Sequence, residues 1–203
     1  MVIKKLPLGN MPTNCYILAD DKTKECAVFD PADEVEKIIS AIGEYKLKYI
    51  ILTHMHIDHV MALDKLKEIT SALVVVHSAD AIALNDDNFT LANFFRTTSP
   101  ETKADIIADD GDILCLGEFE LKIIHTPGHT KGSMCIYCDG ILISGDTLFA
   151  QSVGRTDFPG GSHSELVNSI KSKLFTLPDD TKVYSGHSDE TTIGYEKMYN
   201  PFL

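Results

Sequence analysis

The stretch His54-x-His56-x-Asp58-His59 places four possible metal ligands within six residues of the chain. It follows the apolar run Tyr49–Leu52, which predicts a short strand. Side chains alternate along an extended backbone, so His54, His56 and Asp58 are expected on one side of the segment. Asp58 is expected to cap a helix, with His59 in its first turn. One loop can therefore direct imidazole and carboxylate groups into a single space.

Three further candidate ligands, His129, Asp146 and His187, each follow a later strand-like run. Loops at strand ends commonly carry catalytic groups on a rigid scaffold. A glycine directly precedes each of the three, which allows the backbone to turn close to a buried centre. Because four ligands on one loop cannot complete two coordination shells, we expect these distant residues to converge on the histidine loop. The other histidines are expected to be structural: His77, His125 and His163.

Imidazole and carboxylate ligands without a thiolate suit zinc, iron or manganese. Five neutral histidines and two aspartates contribute a charge of −2 against +4 from two divalent ions, which favours a bridging hydroxide. Metal binding lowers the pKa of water from 15.7 to about 7. This shift reduces the free energy needed to form a hydroxide nucleophile by roughly 12 kcal/mol. The chemistry indicated is metal-assisted hydrolysis, with Asp58 and Asp146 as catalytic carboxylates and Asp146 as the bridge. A metal-binding module without turnover is the alternative, although structural zinc sites are usually closed and thiolate-rich.

The elements that must position these groups fall into two strand-rich halves, each followed by helices. This pattern predicts an α/β fold in which two sheets pack face to face with helices outside, in one domain over residues 1–203. The segment Asn85–Pro100 contains three phenylalanines and has no assigned role. The predicted strands are Val2–Leu6, Asn14–Ala19, Glu25–Phe29, Tyr49–Thr53, Leu73–Val76, Ile113–Leu116, Phe119–His125, Ser133–Cys138, Ile141–Ser144 and Lys182–Ser185. The predicted helices are Ala32–Tyr45, Asp58–Ile69, Ala79–Leu84, Ser164–Phe175 and Thr191–Tyr199.

Composition narrows the possible partners. The 203 residues are 44% hydrophobic and carry a net charge of −12, which argues against binding nucleic acid or an anionic membrane surface. No apolar run approaches the ~20 residues of a membrane span, and the first residues lack the apolar core of a signal peptide. We therefore expect a cytoplasmic protein. Cys135-x-x-Cys138 lies in a predicted strand, where its two cysteines are expected to be small buried hydrophobes on opposite faces.

The complete set of histidines and aspartates resembles the signature of the metallo-β-lactamase superfamily, over nearly the whole chain. The resemblance implies a four-layer αββα sandwich that binds two metal ions. By the same resemblance, Asp146 bridges the ions. One ion would be held by His54, His56 and His129, and the other by Asp58, His59 and His187.

Within the superfamily, the segment Gly154–Gly160 and the tail segments Thr191–Gly194 and Asn200–Leu203 resemble the short glyoxalase II-like (hydroxyacylglutathione hydrolase-like) branch. This resemblance implies two Zn²⁺ ions, with iron, manganese or a mixed iron–zinc pair as alternatives, and a small-molecule thioester substrate. Larger glyoxalase II proteins add a C-terminal helical region that binds glutathione, which we expect to be missing here. Arg155, the only arginine near the predicted site, is expected to contact the substrate.

A mononuclear iron persulfide dioxygenase is the main alternative, because that related branch also resembles the Gly154–Phe158 stretch. There His54, His129 and Asp146 would form a two-histidine, one-carboxylate triad with open positions for oxygen. The tail favours the hydrolase. A true β-lactamase is less expected, because such enzymes need export to reach their drugs and a major branch has cysteine where Asp146 stands.

Overall fold

Two six-stranded sheets and a short hairpin contain all the strands of the computed structural model, which describes residues 1–203. The first sheet follows chain order from edge to edge. Its first two pairings are antiparallel and the next three are parallel. Its strands are β1 (Val2–Leu8), β2 (Thr13–Ala19), β3 (Glu25–Phe29), β4 (Lys46–Ile51), β5 (Leu73–His77) and β6 (Ile106–Ala108).

The second sheet is built from the C-terminal half of the chain, in the order β14-β13-β10-β9-β8-β7. Its strands are β7 (Ile113–Leu116), β8 (Phe119–His125), β9 (Met134–Cys138), β10 (Ile141–Gly145), β13 (Lys182–Ser185) and β14 (Thr191–Thr192). β10 and β13 pair parallel, whereas the other neighbours are antiparallel. The hairpin consists of β11 (Leu148–Phe149) and β12 (Ser152–Val153).

Seven short helices cover the sheets. α1 and α3 pack on the outer face of the first sheet, and α6 and α7 on the outer face of the second. With ten residues at most, the helices fall short of the length and apolar character that crossing a bilayer demands. The helices are α1 (Val35–Ile42), α2 (Ile57–Val60), α3 (Leu63–Thr70), α4 (Ser78–Ala81), α5 (Ala92–Phe95), α6 (His163–Ser172) and α7 (Ile193–Tyr199).

Alternating side chains divide the interior into three apolar cores. On β2, Ile17 faces the core under α1 and α3, whereas Tyr16 and Leu18 face the core between the sheets. In the second sheet, Cys138 joins the core between the sheets and Cys135 joins the core under α6 and α7. The four-layer αββα sandwich is confirmed, and the two cysteines are buried on opposite faces as predicted.

The single helix predicted over Asp58–Ile69 is wrong, because the structure breaks it into α2 and α3. The peptide N–H of Ala62 donates to the Pro31 carbonyl (3.0 Å) instead of continuing α2. The prediction that Asp58 caps this helix is also wrong. His56 occupies the N-cap position and Asp58 lies in the first turn, so its carboxylate is free to face the interior.

Other differences concern element ends and short strands. β6, β11, β12 and β14 are only two or three residues long, too short for a periodic signal. The helices predicted over Ala32–Tyr45 and Ala79–Leu84 extend past α1 and α4. The helix predicted to Phe175 ends at Ser172, where the chain tightens into a 3-10 turn.

The C-terminal ends of several strands meet at one edge of the sandwich. β4 runs parallel to β3 in the first sheet, and β10 runs parallel to β13 in the second. Two backbone hydrogen bonds join the sheets there: Asn14 N–H donates to the Gly186 carbonyl (2.7 Å) and Met134 N–H donates to the Thr53 carbonyl (2.9 Å). The loops that follow these strands are thereby held against one another.

The packing of α6 on the second sheet gives a stability prediction. Ile170 lies on the inward face of α6 and is fully buried. Ile170→Ala is therefore expected to reduce the free energy of unfolding by about 2–5 kcal/mol. Exposed Lys171 is the matched control, and Lys171→Ala is expected to change it by no more than about 0.5 kcal/mol. Urea unfolding followed by circular dichroism measures both. Equal effects of the two variants would contradict the assigned packing.

Candidate metal centre

Three imidazoles form the first half of the site. His54 and His56 come from the loop after β4, and His129 comes from the loop after β8. Their ligand atoms lie within 4.8 Å of one another, and the Nε2 atoms of His54 and His129 are 3.2 Å apart. All three side chains are buried. The sequence prediction that these residues converge is therefore met in the structure.

The second half of the site combines Asp58 and His59 with His187, which follows β13. Their ligand atoms also lie within 4.8 Å of one another. His187 Nε2 is 3.2 Å from His59 Nε2 and 3.1 Å from Asp58 Oδ2. His59 is fully buried, and His187 is partly open to the cavity above the site. Two compact triads thus sit side by side.

Asp146 lies between the triads. Its Oδ1 atom is 3.4 Å from His59 Nε2, and its Oδ2 atom is 3.6 Å from both His129 Nε2 and His187 Nε2. A shift in strand register after Ile143 turns the chain at the end of β10, just before Asp146. One carboxylate therefore faces both triads, the arrangement expected of a bridging ligand.

Two glycines make this approach possible. Gly145 has a φ of +48°, which side chains with a Cβ rarely adopt. A Cβ on Gly186 would overlap Asp146 Oδ1 and lie 2.7 Å from His59 Cε1. Gly145 and Gly186 therefore serve the turn and the close approach that the sequence predicted, whereas Gly128, before His129, lies close to Leu166 on α6.

A second layer of contacts fixes the orientation of the rings. His59 Nδ1 donates to Asp30 Oδ2 (2.9 Å), and His129 Nδ1 donates to the Arg155 carbonyl (2.7 Å). Thr53 Oγ1 donates to Asp30 (2.7 Å), which leaves the hydroxyl oxygen to accept from His54 Nδ1 (3.1 Å). With the proton on Nδ1, a ring in its neutral form presents the Nε2 lone pair to the centre of the site.

Burial and charge set the protonation of the ligands. Burial, with the neighbouring imidazoles, lowers the pKa of His54 well below its ordinary value. Burial acts on His59 in the same direction, but Asp146, Asp58 and Asp30 outweigh it and raise the pKa of His59 to about 10. Burial raises the pKa of Asp58, yet His59 and His187 reverse that effect and lower it. The carboxylates therefore create a negative potential at the centre.

The donor set fits divalent cations. With Nδ1 protonated, the Nε2 lone pairs of His54 and His129 face each other at 3.2 Å, an arrangement that repels unless a cation lies between them. His56 Nε2 and Asp146 Oδ1 are buried without a hydrogen-bond partner, which is costly for polar atoms. Neutral imidazoles and ionised carboxylates are the forms that bind metal.

Two buried aspartates were missed by the sequence analysis. Asp30 follows β3 at the same edge as the other ligands, and this strand-end position was the available signal. Asp80 accepts hydrogen bonds from Met55 N–H (3.2 Å), Thr130 Oγ1 (2.8 Å) and Gly132 N–H (2.6 Å), so it ties the two histidine loops together. Burial raises the pKa of Asp80 to about 6.

The three remaining histidines join neither triad. His77 and His125 stack on each other with ring centroids 3.8 Å apart, and neither belongs to a group of possible metal ligands. His163 is exposed at the start of α6. Their predicted structural role is consistent with these positions.

A cavity of about 430 Å³ opens above the triads. Asn85–Pro100 contributes to its wall through Leu91, Phe94 and Phe95, which gives this segment a role that the sequence did not reveal. Arg155 also lines the cavity, but its guanidinium binds Asp157 through two contacts of 2.7 and 2.6 Å. Its carbonyl, not its side chain, contacts a candidate ligand.

Comparison with known proteins places these features in a family. The family model of the metallo-beta-lactamase superfamily matches residues 8–187. The chain belongs to the metallo-β-lactamase superfamily. It is 39% identical to the probable metallo-hydrolase YqgX of Bacillus subtilis, with 98% of this chain and 96% of the relative covered. It is 35% identical to the hydroxyacylglutathione hydrolase GloC of Haemophilus influenzae, with 100% and 98% covered.

Solved structures of this superfamily share the whole fold. The B3 metallo-β-lactamase BLEG-1 superimposes with a TM-score of 0.94 at 38% identity, covering 100% of this chain and 99% of the other. ETHE1 from Myxococcus xanthus gives 0.84 at 30% identity, covering 99% and 84%. TTHA1623, solved in a di-iron-bound form, gives 0.87 at 32% identity, covering 98% and 100%. The protein thus belongs to a superfamily of metallo-hydrolases and carries a histidine–aspartate cluster suited to metal.

The second layer gives a testable prediction. Asp30→Ala removes the acceptor for His59 Nδ1 and for Thr53, so metal affinity is expected to fall about 10–100-fold. Asp180 is exposed at a turn, and Asp180→Ala is the matched control with unchanged affinity. Competition with a chromophoric chelator measures both. An Asp30→Ala protein that binds metal as tightly as the control would show that Asp30 does not orient His59.

Proposed function

We propose that the protein is a hydrolase of small-molecule thioesters that uses two divalent ions, Zn²⁺ in the first instance. The observation that carries the proposal is the pair of triads with Asp146 facing both. The Gly154–Gly160 motif and the similarity to GloC support the thioester as substrate. Cytoplasmic location remains a prediction.

The candidate ligands divide into two sets, one for each ion. In the proposal, His54, His56 and His129 would hold one ion and Asp58, His59 and His187 the other, with Asp146 facing both sets. Ions held by these residues would lower the pKa of a water molecule and polarise a carbonyl oxygen.

The chain's own groups then account for the remaining steps. Asp58 and Asp146 line the cavity. Asp58 Oδ2 faces His187, so we assign the other carboxylate oxygen of Asp58 as the atom that accepts the proton of the attacking water. A C–O bond forms at the thioester carbonyl, the C–S bond breaks, and the thiolate leaves and takes up a proton. The products are a carboxylic acid and a thiol, so no oxidant or reductant is needed.

A mononuclear iron persulfide dioxygenase is the second candidate. The similarity to ETHE1 and the resemblance of the Gly154–Phe158 stretch to that branch favour it. It would use His54, His129 and Asp146. His129 Nε2 is 3.2 Å from His54 Nε2 and 3.6 Å from Asp146 Oδ2. The two candidates differ in metal number and in their need for oxygen, so one set of measurements separates them.

The decisive test compares His54→Ala with His163→Ala in the purified protein. His54→Ala is expected to lose bound metal and at least about 100-fold in the rate of thioester cleavage, because an inward-facing ligand is removed. His163 is exposed, and its variant is expected to keep both. Elemental analysis measures metal, and thiol release is followed under air and without oxygen.

The outcomes discriminate between the hypotheses. Two ions per chain and thiol release independent of oxygen support the hydrolase. One iron per chain, with oxygen uptake on glutathione persulfide, supports the dioxygenase. Metal binding without either activity supports a binding module. Normal thioester cleavage by a folded, metal-free His54→Ala protein would falsify the proposed mechanism.

A further inference from the structure

The cavity above the triads has an apolar wall. The wall combines side chains from four separate parts of the chain, and two of its rings, Phe94 and Phe95, pack edge to face with centroids 5.6 Å apart. Phe94 is 79% exposed and Phe95 is 38% exposed. Exposed aromatic side chains around a cavity are typical of a site for an apolar ligand. The wall residues are Met11, Leu91, Phe94, Phe95, Phe149, Val153 and Phe158.

The phenylalanines are held in place rather than loosely attached. Thr90, next to Leu91, is buried, and its carbonyl accepts a hydrogen bond of 2.8 Å from Ile57 N–H on the histidine loop. The residues flanking the short helix α5, Leu91 and Arg96, have φ angles of +66° and +56°. Such left-handed conformations are uncommon for residues other than glycine. The backbone therefore adopts an unfavourable turn at each end of the segment that presents the rings to the cavity.

The same wall offers little to an anionic ligand. No lysine lines the cavity, and its one arginine, Arg155, is paired with Asp157 and lies over the Phe158 ring at 4.0 Å. The other charged groups on the wall, Asp58 and Asp146, are acidic. Since the chain as a whole carries a net charge of −12, carboxylates on a substrate would find no free cationic side chain at this opening.

We propose that the substrates are thioesters whose non-reacting part is apolar and carries no carboxylate, with Phe94 and Phe95 as specificity-determining residues. This inference rests on the proposed thioester hydrolysis. The carbonyl would lie over the triads while an acyl chain of several carbons lies against the phenylalanines. Glutathione, which carries two carboxylates, would be a poor thiol half despite the similarity to GloC.

Three substrates separate chain length from charge. Hexanoyl and acetyl thioesters of N-acetylcysteamine, an uncharged thiol, differ only in the apolar chain. Hexanoylglutathione keeps that chain and adds the carboxylates. The value of kcat/KM for hexanoyl-N-acetylcysteamine is expected to exceed that for the acetyl thioester by on the order of 10-fold or more, since even a single methylene in an apolar pocket gives about 10–200-fold. It is also expected to exceed the value for hexanoylglutathione, because the cavity offers the carboxylates no free cationic side chain.

A double variant tests whether Phe94 and Phe95 cause the preference for the longer acyl chain. The double substitution Phe94→Ala with Phe95→Ala is expected to reduce the hexanoyl-to-acetyl ratio of kcat/KM by about 10-fold. Phe89 lies in the same segment and is also 38% exposed, but it does not line the cavity. Phe89→Ala is therefore the matched control, with an unchanged ratio. Circular dichroism and metal content verify that each protein is folded and loaded.

A second variant tests the effect of charge at the opening of the cavity. Asp157→Asn removes the partner of the Arg155 guanidinium, which then becomes free to bind a substrate carboxylate. The ratio of kcat/KM for hexanoylglutathione to that for hexanoyl-N-acetylcysteamine is expected to rise several-fold. Arg155→Lys in the Asp157→Asn background is expected to reduce this gain, because a lysine cannot form the two-pronged contact.

The results distinguish failure of this inference from failure of the proposed function. If none of the three thioesters is cleaved, thioester hydrolysis itself is wrong. If all are cleaved but hexanoylglutathione is preferred, or if the Phe94 and Phe95 substitutions leave the ratio unchanged, the hydrolase stands and the apolar specificity is overturned. Preference for the uncharged hexanoyl ester, lost in the double variant and kept in Phe89→Ala, supports the inference.

Discussion

The structure depends on holding seven nitrogen and oxygen ligands at short range in a buried space. The Nε2 atoms of His54 and His129 face each other at 3.2 Å, and Asp146 keeps a buried oxygen without a partner. Each of these features destabilises a folded chain by itself. They become favourable together once positive charge lies between them, so the centre ties stability to bound cations.

The sandwich makes this arrangement possible because neither sheet supplies the whole set. The first sheet ends in the histidine loop and in Asp30, and the second ends in the loops that carry His129, Asp146 and His187. Backbone hydrogen bonds between the sheets, such as Met134 N–H to the Thr53 carbonyl at 2.9 Å, hold these loops in register. Asp80 adds a buried carboxylate that three donors from both histidine loops satisfy.

The sequence revealed the candidate ligands because residues of metal-binding type stand directly after predicted strands. His-x-His-x-Asp-His is a dense local motif, and the later ligands each follow an apolar strand and a glycine. It did not reveal Asp80, whose role depends on a contact with Gly132 more than fifty residues away. The break between α2 and α3 was missed for a similar reason, since the Pro31 carbonyl that accepts the hydrogen bond from Ala62 N–H belongs to another loop. Distant partners of this kind leave no periodic signal.

The relatives illustrate how one fold occurs in proteins with different named activities. BLEG-1 is named as a B3 metallo-β-lactamase and GloC as a hydroxyacylglutathione hydrolase, yet both match nearly the whole of this chain at 38% and 35% identity. The fold therefore does not determine the substrate. In this protein the cavity is also lined by groups that are not candidate ligands. These are the exposed phenylalanines of α5 and Arg155, which pairs with Asp157 at the rim. Under the proposed function they would meet the part of a substrate that does not react, so selectivity is expected to depend on this wall rather than on the candidate ligands beneath it.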